Sequence, residues 1–386
     1  MKIAKTEVFV LADPPPSGPV DAPISELAFV RIQTDEGIDG LSEIFGVPAG
    51  VAKAVLHGPD SFLGRQLIRE DPSSPERLWT KLYNSMLHGN RRGWAIICIG
   101  AAEIALWDIC GKMLGRPVYE LLGGAERAED QVYRHGQHLE VVPYATIVST
   151  DWDQESVLRE QTKKVVKLCE LGFRAVKVEP VRSAPETIIE LARRARKELG
   201  PDRILCVDVG YIWNDVGIAV QVARRLEEFD VFFLETPFPV DALEAYARLT
   251  AKSNLRIAAG EHSTTRWEFI DLMDRARLQV VQPWMTTVGG LSEAKRVVDL
   301  ALRRGVIVCP GNWSTQVLGS ASVHFAAVSP ISPIIEFPPA AVHWSPLRKA
   351  IEEAGMPLID GAIHLPTKPG IGIELSSHLI DHFRVA

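Results

Sequence analysis

Three acidic residues close three successive apolar runs in this 386-residue chain: Asp208 in CVDVG, Glu235 in FLETP and Glu261 in AAGEH. They lie 27 and 26 residues apart, about what one strand, one helix and two loops consume. Acids at the carboxyl ends of neighbouring parallel strands converge on one rim, where like charges push each other toward protonation. A divalent cation removes that conflict. Oxygen donors without a thiolate or a histidine cluster favour Mg²⁺, or Mn²⁺, over zinc or copper. Any one of these acids could instead cap a helix or pair with a basic side chain, but three in register argue for a shared ligand. In the run AVKVEP, Lys177 and Glu179 alternate onto one face of a strand and both point inward. A lysine desolvated beside a cation is expected to be a neutral amine, suited to abstracting a proton. The competing reading is a structural ion pair between Lys177 and one of the acids.

These side chains need a scaffold that brings strand ends together, and the rhythm of the chain supplies one. Eight short apolar, β-branched runs alternate with helical segments: 141–148, 175–180, 204–210, 231–237, 256–261, 278–283, 306–311 and 334–339. From the second onward their starts are 29, 27, 25, 22, 28 and 28 residues apart. Amphipathic segments such as APETIIELARRARKEL and GLSEAKRVVDLALRRG fill the intervals. Eight even units favour an α/β barrel over an open doubly wound sheet, for which a GxGxxG after an early strand is missing. Before the barrel, residues 3–12 and 26–33 read as strands, TDEGIDG as a hairpin turn, and the stretch from Ser74 to Gly123 as helical. The first part is therefore α+β.

Bulk composition narrows the partners. Apolar residues make up 46% of the chain and charged ones 24%, enough for a large core and too little polarity for extensive disorder. The net charge of −7, with basic residues scattered among acidic ones, offers no footprint for nucleic acid or an anionic membrane, so a small-molecule partner is expected. No stretch reads as a run of ~18 apolar residues, and the start alternates like a strand rather than a signal segment, so the expected compartment is the cytosol. Five cysteines, odd in number and without CxxC spacing, read as buried reduced thiols.

With these residues in view, the chain resembles the mandelate racemase/muconate lactonizing branch of the enolase superfamily. The likeness runs through TDEGIDGLSE, AAEIALWDICGKMLGRPVYELLGG, GFRAVKVEP, CVDVGYIW, FLETP, AAGEH and VVQP followed by VGGLSEAKR. It implies a (β/α)7β barrel, residues 126–355, beneath an α+β capping domain, residues 1–125, with a C-terminal segment, 356–386, returning to the cap. It implies one Mg²⁺ per subunit on Asp208, Glu235 and Glu261, and Lys177 as a base. Loops at 14–24 and 45–51 are implied to close over the site and select substrates. The implied chemistry is removal of a proton next to a carboxylate, giving an enediolate that is then reprotonated or expels a β-hydroxyl.

The pattern also breaks. Many members pair the lysine with a His/Asp dyad from strands six and seven, whereas this chain has Trp284 after VVQP and Asn312 and Trp313 in CPGNWSTQ. Neither Asn nor Trp takes up a proton at neutral pH. Glu179 replaces the second lysine of the usual KxK, and Gly210 the asparagine that commonly follows the first metal ligand. One-base chemistry remains: dehydration of a sugar acid or other hydroxy acid, with His262, directly after Glu261, assisting the leaving group. A hydrogen-bonded structural role for His262 has equal claim. Glu336 in IIEFPP is expected near the substrate carboxylate or metal, or tying strand to loop. Glu179, Trp284, Asn312 and Glu336 complete the expected substrate-binding set, Trp284 and Trp313 as an apolar wall. The cluster His88, Asn90, Arg91 and Arg92 reads as a solvated helix start, and His324 as a satisfied core histidine. The alternatives are an epimerase or racemase, a lactone cycloisomerase, or a diverged member without catalysis; a symmetric homo-oligomer is the expected assembly.

Overall fold

The computed structural model describes residues 1–13, 26–124, 140–149 and 151–385. The cap loop expected at 14–24 lies outside them. Alternating and β-branched apolar residues form β1 (Ile3–Ala12), β2 (Glu26–Thr34) and β3 (Asp39–Ile44), an antiparallel meander in which Val8 opposes Val30 and Phe29 opposes Glu43. The β2–β3 hairpin turns at TDEG, with Gly37 at φ 81°. The Trp94–Leu114 helix packs on β2 and β3 and also meets a barrel helix, Leu291–Leu302. Among the described residues this is the one helix long and apolar enough to cross a membrane, which corrects the expectation that no stretch approaches that length. Its apolar window is 89% buried because the helix lies between two packed layers, and a helix apolar all round is what such a place requires.

After β4 (Glu140–Val141) come the eight parallel strands: β5 (Pro143–Val148), β6 (Ala175–Glu179), β7 (Ile204–Asp208), β8 (Val231–Glu235), β9 (Ile257–Ala259), β10 (Val280–Val281), β11 (Ile307–Val308) and β12 (Ile335–Phe337). From β5 to β11, neighbours in sequence are neighbours in the sheet, and β12 returns to pair with β5. Backbone bonds from Glu336 N–H to the Pro310 carbonyl (2.9 Å) and from Val308 N–H to the Ile331 carbonyl (3.0 Å) close the last seam. The result is the closed (β/α)7β barrel, with the antiparallel meander as a separate N-terminal layer. Tyr144, Cys206, Phe233, Val280, Cys309 and Ile334, with small residues at Ala175 and Ala258, fill the interior. Four of the five cysteines are buried and all five are free, while Cys169 is only partly covered.

The crossover helices start where the sequence marks them: Asp153 caps Gln154–Glu170 by accepting from Ser156 N–H, and Pro185 opens Pro185–Leu199. The last strands, β13 (Leu358–Ile359) and β14 (Ala362–His364), form a small sheet with β4, which the sequence reading did not foresee. The C-terminal residues then reach the N-terminal layer: Ile371 N–H donates to Asp108, and β15 (Arg384–Val385) pairs with β1.

Candidate active site

The barrel register brings the acids together. Asp208 and Glu235 end β7 and β8 as direct partners, Glu235 pairs with Ala258 of β9, and Glu261 follows three residues further on. Lys177 ends its side chain among them, 2% exposed. Its Nζ lies 2.9 Å from both carboxylate oxygens of Glu235, 3.0 Å from Glu336 and 3.4 Å from Asp208. Asp208, Glu235 and Glu336 are each less than 5% exposed. The Tyr144 ring lies 5.5 Å below the ammonium.

Electrostatics follow from that crowding. Burial opposes the Lys177 charge, yet Glu235 and Glu336 outweigh it and raise its pKa well above the ordinary lysine range. The carboxylates around Lys177 thus favour its ammonium form, the opposite of what a neighbouring cation would favour. Burial, and then Asp208, push the carboxyls of Glu179 and Glu235 well up, and the same two causes lift Glu261 to about 7. Three of these acids, Asp208, Glu235 and Glu336, contact Lys177 directly. Among the described residues no three His, Cys, Asp or Glu side chains stand in a metal-holding arrangement; the acids gather on Lys177 instead. The donor set nevertheless fits a hard divalent cation, since all of it is carboxylate oxygen and its surplus negative charge is what such an ion would relieve.

Around this centre the remaining predicted residues take distinct places. Glu336 ties strand to loop: besides contacting Lys177, it accepts from Thr146 Oγ1 (2.5 Å) on the first barrel strand and from Asn312 N–H (2.9 Å) on the loop after β11. Asn312 spends its side chain inside that loop, accepting from Ser314 N–H and donating to the Thr315 carbonyl. Trp284 is 6% exposed and lies 4.9 Å from the Phe45 ring of the N-terminal layer. It sits so tightly against Gly311 that a Cβ there would fall 1.7 Å from the indole nitrogen. His262 remains at the surface, its side chain 58% exposed, with Nε2 3.4 Å from Glu261 and its ring between Tyr211 and Trp284. Partial burial lowers its pKa, with Asp208 acting against that. Trp313 presents its ring to the edge of His343 at 4.7 Å.

The first-domain cluster divides. His88, Asn90 and Arg91 are exposed, but Arg92 bridges to the barrel through Thr265 Oγ1 (2.5 Å) and Glu268 (3.1 Å). His324 is fully buried; its Nδ1 accepts from Tyr119 N–H at 3.0 Å, while Nε2 has no partner among the described residues. Sequence reasoning missed Thr146, Tyr211, Thr236 and Glu43. Glu43, on β3, accepts from Ser314 Oγ and from Thr315 Oγ1 (2.7 Å), planting a buried carboxylate of the N-terminal layer beside the barrel mouth. Only proximity to a suspected ligand flagged Tyr211 and Thr236, and nothing local flagged Thr146 or Glu43.

A capped barrel with acids on three consecutive strand ends and a buried lysine defines a class of fold, and comparison with known proteins specifies it. Residues 5–123 match the model for the mandelate racemase / muconate lactonizing enzyme N-terminal domain, and residues 158–379 match the enolase C-terminal domain-like model. The chain belongs to the mandelate racemase/muconate lactonizing enzyme family of the enolase superfamily. It is 29% identical to a D-galactarolactone cycloisomerase of Agrobacterium fabrum over 364 residues, 92% of this chain and 90% of that one. It is 29% identical to an arabinonate dehydratase of Saccharolobus solfataricus over 93% of this chain and 91% of that one. Among solved structures, the 3,6-anhydro-D-galactonate cycloisomerase of Zobellia galactanivorans superposes with a TM-score of 0.85 at 27% identity, each chain covered completely.

Proposed function

We propose that the protein is a Mg²⁺-dependent lyase that dehydrates a sugar acid or a related hydroxy acid. The observation that carries this reading is the single buried lysine among strand-end acids, with Trp284 and Asn312 standing where a second base would be needed. Asp208, Glu235 and Glu261 would hold the cation. When bound, Mg²⁺ supplies positive charge to the substrate carboxylate as a proton leaves the adjacent carbon. Lys177 loses its own proton once its carboxylate partners are committed elsewhere, and then takes the α-proton. The electron pair of that C–H bond forms the double bond as the β-hydroxyl departs. His262, at the rim and open to solvent, delivers the proton that lets it leave as water; the enol then becomes a 2-keto-3-deoxy acid. Glu179, Glu336, Asn312 and Trp284 shape the pocket around the hydroxyls.

Incubation with a panel of acid sugars and Mg²⁺, trapping α-keto acids with semicarbazide, tests the reading. At least one sugar acid should give a keto acid, and Lys177→Ala should abolish it; a blank panel overturns the assignment. Lactone cycloisomerisation is the second reading, favoured by the two cycloisomerases among the similar proteins. It predicts solvent deuterium in recovered substrate or product without keto acid.

A further inference from the structure

Two residues just beyond the acids adopt backbone conformations that their side chains resist. Tyr211, three residues after Asp208, has φ 64°, and Thr236, directly after Glu235, has φ 46°. A β-branched residue in the left-handed region is a clear outlier, and such conformations persist only where the surroundings hold them. Here each holds the other, because Tyr211 N–H donates to the Thr236 carbonyl at 2.7 Å. Thr236 N–H is itself fixed on the Ala258 carbonyl of β9 at 3.0 Å.

The two hydroxyls diverge from this joint. Thr236 Oγ1 donates to Asp208 Oδ1 at 2.5 Å, and Tyr211 Oη donates to Glu261 Oε1 at 2.5 Å. Asp208 Oδ1 also accepts from Gly210 N–H at 2.9 Å, so that one oxygen is fully engaged while Oδ2 is left toward the centre. The Tyr211 ring stacks on His262 at 5.6 Å, which fixes the ring as well as its hydroxyl. We infer that Thr236 and Tyr211 form one strained bracket that orients Asp208 and Glu261 as ligands. They are positioning residues that meet neither metal nor substrate. The inference rests on the metal assignment above and adds the reason that strain is kept at two adjacent loop ends: ordinary φ values would swing both hydroxyls away from the carboxylates.

The test is direct Mn²⁺ binding, measured by electron paramagnetic resonance on the full chain, with circular dichroism confirming the fold. Tyr211→Phe keeps the ring and its stacking, and Thr236→Val keeps the shape; each removes one hydroxyl. Outer-shell partners of this kind contribute roughly 10–100-fold to metal affinity, and a weakening in that range is expected for both variants. Thr236→Ser, which restores the hydroxyl, should recover most of the affinity. Variants that bind Mn²⁺ within about two-fold of the parent overturn the bracket and leave the metal assignment intact. A parent that binds no Mn²⁺ overturns both.

Discussion

Glu103, on the long apolar helix of the N-terminal layer, is expected to hold that layer to the barrel. Its carboxylate is fully buried and accepts from Leu291 N–H (2.8 Å), Ser292 N–H (3.0 Å), Trp107 Nε1–H (2.8 Å) and the Ser292 hydroxyl. The Leu291–Leu302 helix has no side-chain cap of its own; Gly290 stands at its start with φ 106°, and a Cβ there would fall 2.3 Å from Glu103 Oε2. A carboxylate from another layer thus does the work of a cap. Glu103→Ala would orphan two buried backbone N–H groups, each costing about 1–3 kcal/mol, so a loss of roughly 4 kcal/mol is expected. Glu103→Gln, which keeps the shape but sets an amide N–H₂ against donors, should fall between the two. Guanidinium unfolding followed by tryptophan fluorescence reads the loss, and hydrogen exchange at Leu291 and Ser292 localises it. A change below about 0.5 kcal/mol, or unaltered protection of those two amides, would refute the reasoning.

Two further outcomes follow from buried charge. His324 and His343 are both buried, and desolvation lowers each from 6.5 to about 4. The unfolded chain therefore binds more protons than the folded one between those values, and stability should fall as pH drops from 6.5 through 4, by about 3 kcal/mol per ring. Urea midpoints measured from pH 7 to pH 4 should decline accordingly, and His324→Asn should reduce the slope; flat midpoints would contradict the burial argument. Lys177→Met removes the ammonium from Glu235, Glu336 and Asp208, so its thermal midpoint in chelator should lie well below the parent's. Added Mg²⁺ should raise the variant's midpoint more than the parent's, and an equal response would show that the acids do not share a cation.

Much of this protein was legible along the chain because its signals are local. The eight apolar runs, their even spacing and the acid at the end of each of three consecutive ones need only the period of a strand and the length of a βα unit. Lys177 and Glu179 were placed on one face by alternation alone. The short ladders of β9, β10 and β11, two or three residues each, were obscured because an apolar run outlasts the pairing it supports. The small sheet of β4, β13 and β14 joins segments more than two hundred residues apart, beyond any local pattern.

What the sequence determined by itself was which chemistry-bearing residues arrive at the barrel mouth, since strand period and strand end decide that. Tertiary structure alone decided how they are held and charged. The upward pKa shift of Lys177 comes from Glu235, on a strand two removed from its own, and from Glu336 on the last barrel strand. Glu43 and Phe45 reach the mouth from another layer, and the Tyr211–Thr236 joint unites two loops. Such contacts depend on distances between residues remote in sequence. A pKa or a hydrogen bond is set by what stands within a few ångströms, whatever its position in the chain.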